Sequence, residues 1–173
     1  IYKFIRPERG VRTMSLTRRR LLVTPNYTLT QRYNEDYHYS LCVYNVVSGE
    51  LLQSVELPTF MDPRHAIESN NTFIVCYWDK SWDQCGVSEV NSLGEVIRSF
   101  VGQEQFNNPS YLSFDSVGRV LVRDGRKVVL MSKESKYERV LLDISSFTDT
   151  PSTTGGYNLW LRINYKKETN KLI

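Results

Sequence analysis

Two histidines and three cysteines are all that this 173-residue sequence offers of the side chains that most often build metal centres and nucleophilic sites. The cysteines, Cys42, Cys76 and Cys85, include no C-x-x-C pair, and an odd, sparse set does not make a disulfide framework. That favours a reducing compartment, the cytoplasm. The sequons Asn26-Tyr27-Thr28 and Asn70-Asn71-Thr72 carry the opposite, extracellular reading. No apolar run reaches the length of a membrane helix, so no membrane segment is expected within this stretch. No G-x-S-x-G elbow, no Gly-rich phosphate loop and no calcium-loop spacing occurs. His65, Cys76 and Cys85 are spaced too widely for paired zinc ligands. The expectation is therefore no catalytic residue, no metal and no cofactor: this segment is read as non-enzymatic, with the parent protein left open. Ile1 at the start and Leu172-Ile173 at the end read as the edges of a piece cut from a longer protein. Its open sheet edges predict that the piece alone aggregates or stays partly unfolded.

What is present points to strands. Hydrophobic residues make up 40% and aromatic residues 12%, with eleven Tyr and seven Phe, and helical periodicity is hard to find. The net charge of +3 is uneven: +6 over residues 1–20, −8 over 21–115 and +5 over 116–173. Such a basic–acidic–basic order can place a positive patch on one part of a rounded body.

Short apolar runs are punctuated by turn residues in an order that repeats. In residues 109–142 the runs Ser110–Phe114, Val120–Val122, Val128–Met131 and Arg139–Leu142 are separated by Asp115-Ser116-Val117-Gly118, Asp124-Gly125 and Ser132–Ser135. Upstream, Asp62–Ile67, Thr72–Trp78, Cys85–Val90 and Val96–Phe100 follow the same order, and before them Val11–Leu16, Leu21–Val23, Tyr39–Tyr44 and Leu51–Val55. Pro63 to Pro109 spans 46 residues and Arg12 to Arg64 spans 52. Four strands per period of this length predict an all-β β-propeller of four-stranded antiparallel blades, about three blades with partial flanking ones. The divisions are 1–9 (end of a preceding blade), 10–58, 59–102 and 103–147 (three blades), 148–158 (linker) and 159–173 (start of the next blade). An all-β sandwich is the second choice, because it does not require this repetition.

The segment Asn107-Asn108-Pro109-Ser110-Tyr111-Leu112-Ser113-Phe114-Asp115-Ser116-Val117-Gly118-Arg119-Val120-Leu121-Val122-Arg123-Asp124 resembles an NHL repeat: a Pro before an alternating strand, an Asp, a turn Gly, then an apolar strand ending in Asp. The other two blades keep the strand order and lose the motif. The resemblance implies a propeller acting as the recognition end of a larger protein, of the kind found in tripartite-motif-type ubiquitin ligases, as a scaffold or substrate-recognition module.

Three functions follow as expectations. The first is protein binding through an aromatic–acidic cluster, Tyr77, Trp78, Asp79, Trp82 and Asp83, because Trp and Tyr are the usual interface anchors. The Tyr-rich insert holding Tyr27, Tyr33, Tyr37 and Tyr39 is a second surface of the same kind. The alternative is RNA binding by a basic face using Arg18, Arg19, Arg20, Arg119, Arg123, Arg126 and Lys127. Those residues fall at opposite ends of the second strand, so they do not all converge. The third is a metal-dependent lyase or lactonase, known on related propellers, for which no matching ligand set is present.

Overall fold

The computed structural model describes residues 11–17, 19–25, 38–81, 83–101, 106–132, 137–143, 165–166 and 171–172. Within them the secondary structure is all β. Strands β1 (Val11–Thr17), β2 (Arg20–Pro25), β3 (Ser40–Asn45) and β4 (Leu51–Glu56) form the first sheet. Strands β5 (Met61–Ser69), β6 (Thr72–Asp79), β7 (Cys85–Val90) and β8 (Val96–Val101) form the second. Strands β9 (Pro109–Phe114), β10 (Val120–Asp124), β11 (Lys127–Met131) and β12 (Tyr137–Asp143) form the third. Each is an antiparallel meander in sequence order. A short hairpin pairs β13 (Tyr165–Lys166) with β14 (Lys171–Leu172). Each of the twelve predicted runs overlaps one strand. The expected end of a preceding blade (1–9), the linker (148–158), the expected start of the next blade (159–173) apart from 165–166 and 171–172, and Tyr27, Tyr33 and Tyr37 lie outside the described residues.

Turn chemistry explains where strands end. Asn70 and Asn71 both adopt positive φ, as a two-residue hairpin turn requires, and Asn is among the few side chains that tolerate it. Asp115 and Asn91 open equivalent turns. The Asp115 carboxylate accepts from the N–H groups of Val117 and Arg119, and the Asn91 side-chain Oδ1 from those of Leu93 and Glu95. Each turn closes through a positive-φ glycine, Gly118 or Gly94.

Irregularities recur with the strands. The β1–β2 ladder shifts between Val11 and Thr13, the β5–β6 ladder between Pro63 and His65, and the β9–β10 ladder skips Ser110. The bulged residues, Arg12, Arg64 and Ser110, occupy one position in the three first strands. A bulge re-aims its side chain. Arg12 leaves its own sheet and donates to Asp62 Oδ1 and to the Pro63 carbonyl, each at 2.6 Å.

The sheets stack face to face in chain order. In β6, Phe73, Val75 and Tyr77 join Leu22, Leu41, Val43 and Val55 in a core between the first and second sheets. Their neighbours Ile74 and Cys76 turn the other way, toward Leu112, Val122, Val129 and Met131 of the third sheet. Period-two alternation across the unbroken apolar run Phe73–Trp78 buries both faces of the middle sheet.

The first strands meet through side chains rather than a shared ladder. Thr13 and Ser15 donate their hydroxyls to the carbonyls of Arg64 (3.1 Å) and Ala66 (2.8 Å), which covers the edge of β5. On the other side of β5, His65 Nδ1 accepts from the Leu112 N–H at 3.3 Å, and its ring lies 4.2 Å from that of Tyr111. Desolvation lowers the His65 pKa from 6.5 to about 4, against a backbone hydrogen bond with Met14 that raises it. An unfolded chain takes up this proton below pH 6.5, whereas the folded chain refuses it until about pH 4. The stability from this group is complete above pH 6.5 and is lost as pH falls, by about 3 kcal/mol between pH 7 and pH 4. Urea denaturation across that range should show the loss, and His65→Gln should flatten it; an unchanged slope in the variant would contradict the neutral buried imidazole.

Cys76 is buried in the second seam, and desolvation pushes its thiol up to about 12, against backbone hydrogen bonds and the charges of Arg64 and Arg12. Only the thiolate is nucleophilic, so iodoacetamide at neutral pH should leave Cys76 unmodified in the folded protein and alkylate it in urea.

Candidate functional site: a polar depression at the first turns

The turns that join the first two strands of each sheet lie at one end of the molecule and enclose a depression of about 850 Å³. Its walls include Thr17 and Arg20 from the first sheet, Glu68 to Thr72 with Glu89 and Arg98 from the second, and Phe114, Val117 and Gly118 from the third. The volume is in the range of small-molecule and peptide side-chain pockets.

Two ion pairs organise the walls. Arg20 Nη1 lies 3.1 Å from Glu68 Oε1, which links the first and second sheets, and Arg20 Nη2 reaches Gln53 Oε1. The Glu68 side chain is only 8% exposed, and its Oε2, like Arg20 Nε, is buried with no hydrogen-bond partner among the described residues. Arg98 Nη2 lies 2.8 Å from Glu89 Oε2, while Glu89 Oε1 accepts from the Thr72 hydroxyl. Asn70 and Asn71 are exposed at the rim, so the second sequon sits at the mouth of the depression.

The predicted aromatic–acidic cluster is divided by the sheet it belongs to. Tyr77 is 3% exposed in the first seam, stacked edge-on to Phe60, and its hydroxyl accepts from Ser88. Desolvation raises its pKa, with hydrogen bonds from Ser88 and Ser99 in opposition. Trp78 points to the other face, where its indole N–H donates to Asn108 Oδ1 at 3.3 Å. Asp79 accepts from the N–H and hydroxyl of Ser81, Asp83 is exposed, and Trp82 lies outside the described residues.

The predicted basic residues also separate. Arg20 and Arg119 stand at the first-turn end, Arg20 committed to Glu68 and Arg119 to Asp115, whose Oδ2 accepts from its Nε at 2.6 Å. Arg19 is exposed beside them, and Arg18 lies outside the described residues. Arg123 reaches the Gly125 carbonyl toward the opposite end, where Arg126 is exposed and Lys127 lies 3.8 Å from Asp143. Among the described residues no three His, Cys, Asp or Glu side chains are placed to hold a metal ion, and no helix is long and apolar enough to cross a membrane.

Glu68, Glu89 and Arg98 are not among the site residues expected from sequence. Their signal is weak: each is one charge in an alternating strand, and only the fold brings them together.

No family model and no curated protein matches the chain. Among solved structures it is similar to a protein of unknown function from Bacteroides caccae, at 15% identity and a TM-score of 0.40. That match covers 72% of this chain, which spans 42% of the length of the other.

Proposed function

We propose that the three sheets are successive blades of a propeller-type array related to NHL repeats, and that the chain is a non-catalytic interaction module. In this reading the first-turn depression receives an extended peptide of a protein partner. The observation that carries it is the convergence of three sequence-distant turns on one polar, walled depression. The recurring bulges, the serial contacts of β1 with β5 and β5 with β9, and the two-sided burial of the middle sheet support the array. The NHL-like segment supports its assignment: Asp124, which ends the motif, accepts hydrogen bonds from the backbone N–H groups of Asn107 and Asn108, which open it. A concave site on a rigid frame is how such arrays present recognition surfaces.

RNA is the weaker reading, because the cations Arg20, Arg98 and Arg119 are each paired with a carboxylate. A random-peptide display library and a single-stranded RNA pool, each panned on the full chain, separate the two. Enriched peptides should lose about tenfold or more in affinity to Arg98→Glu. RNA that binds tightly, with a steep fall in affinity as salt rises, would replace the peptide reading.

A further inference from the structure

We infer that the depression takes an aromatic side chain of its partner peptide, stacked on the face of the Arg98 guanidinium and flanked by the apolar wall of the third sheet. This rests on the reading of the depression as a peptide-recognition site.

The repeat supplies the first observation. Leu22, Val43 and Gln53 stand side by side on β2, β3 and β4, and the matching row of the second sheet is Ile74, Glu89 and Arg98 on β6, β7 and β8. Leu22 and Val43 face the second sheet, and Ile74 faces the third. The segments Gly49-Glu50-Leu51-Leu52-Gln53-Ser54 and Gly94-Glu95-Val96-Ile97-Arg98-Ser99, which end the two rows, follow one pattern. In the first seam the row is closed: Val43 is fully buried, and Gln53 donates to the Ser92 carbonyl of the neighbouring sheet. In the second, the Arg98 side chain is 46% exposed and lines the depression. A cation thus stands in a row that the fold elsewhere closes without charge.

The second observation is how Arg98 is held. Its Nε and Nη2 both meet Glu89 Oε2, at 3.0 and 2.8 Å, and the Glu89 side chain is only 13% exposed. Those bonds lie in the guanidinium plane, so they fix the group and leave its faces to other contacts. From the third sheet, Phe114 and Val117 bring an apolar wall to the same depression, with Val117 exposed. These walls sort ligand groups. A carboxylate finds Arg98 already neutralised by Glu89, and an ammonium finds Glu89 already engaged by Arg98 and Thr72. An aliphatic side chain uses the apolar wall and leaves the guanidinium face without a partner. An aromatic ring uses both, because its face attracts the cation while its carbon body packs on Phe114 and Val117.

The test titrates the full ¹⁵N-labelled chain separately with N-acetyl-phenylalanine amide, N-acetyl-cyclohexylalanine amide, N-acetyl-glutamate amide and N-acetyl-lysine amide. The cyclohexyl probe keeps the size and apolarity of the ring and lacks its π face, so the ratio of the first two reads stacking alone. The phenylalanine probe should shift the amides of Ser69–Thr72, Arg98 and Val117–Gly118 at about threefold to tenfold lower concentration than the other three. Arg98→Gln installs the residue that the first sheet carries at Gln53, and it should bring the ratio to about one. Glu89→Val combined with Arg98→Gln rebuilds the whole first-seam row and leaves no unpaired carboxylate; it should give the same ratio, and the dispersion of the spectrum reports the fold directly. Display-selected peptides that perturb these amides should carry an aromatic residue whose replacement by alanine costs about tenfold in affinity. The inference is overturned if another probe shifts these amides first, if Arg98→Gln leaves the ratio unchanged, or if the selected peptides bind there without an aromatic residue; the depression then still stands as a recognition site. If neither the probes nor the selected peptides perturb these amides, the recognition-site reading falls with it.

Discussion

Gly94→Ala should destabilise the full chain by about 2–4 kcal/mol in urea denaturation. Gly94 closes the β7–β8 turn at φ +86°, and a Cβ there would stand 1.8 Å from the carbonyl oxygen of Glu56, at the end of β4. That oxygen is backbone in a neighbouring sheet, so relief requires the two sheets to part. Gln53 holds the same contact from the side by donating to the Ser92 carbonyl. Gly125 supplies the control. It also has positive φ, +57°, but an added Cβ meets nothing within 4 Å. Gly125→Ala should therefore cost only the left-handed backbone penalty, about 1 kcal/mol. Equal losses in the two variants would mean that the β7–β8 turn does not pack on the first sheet.

Asp124→Ala is the second large effect, at about 2–4 kcal/mol. Asp124 is 4% exposed at the end of β10, and its carboxylate accepts from the N–H groups of both Asn107 and Asn108. Alanine removes the acceptor that both part-buried N–H groups share at the start of the third sheet. Asp124→Asn keeps one oxygen and should lose roughly half as much. Hydrogen exchange supplies the local reading: the Asn107 and Asn108 amides should lose protection in Asp124→Ala well before the β11 amides do. Unchanged protection there would contradict the cap.

Much of the fold was legible because local signals agree along the chain. Asn70-Asn71, Asn91 to Gly94, Asp115 to Gly118 and Asp124-Gly125 are turns whose chemistry is written in adjacent residues, and the apolar runs between them need only period two to become strands. The alignment of Arg12 with Arg64 marks a repeated bulge that sequence spacing places correctly while saying nothing of its cause. The site was less legible. Glu68 and Arg20 meet from 48 positions apart, and no local pattern pairs them. Tyr77 and Trp78 show the opposite failing: neighbours in a strand must point to opposite faces, so their adjacency argues against a shared surface, and the structure places them in different seams. His65 reads in the sequence as a residue spaced too widely from Cys76 and Cys85 for a zinc site, and in the fold its ring is an acceptor that joins β5 to β9.

The central claim is that the middle sheet is covered on both faces by its neighbours, and alanine substitution along it tests this most directly. Phe73→Ala and Val75→Ala probe the seam with the first sheet, and Ile74→Ala and Val87→Ala the seam with the third. Stacked sheets predict that all four cost about 2 kcal/mol or more in urea denaturation of the full chain, with no alternation between neighbouring positions. A period-two pattern, with one pair falling within about 0.5 kcal/mol of the parent as surface substitutions do, would mean that one face meets solvent, and would contradict the stacked array.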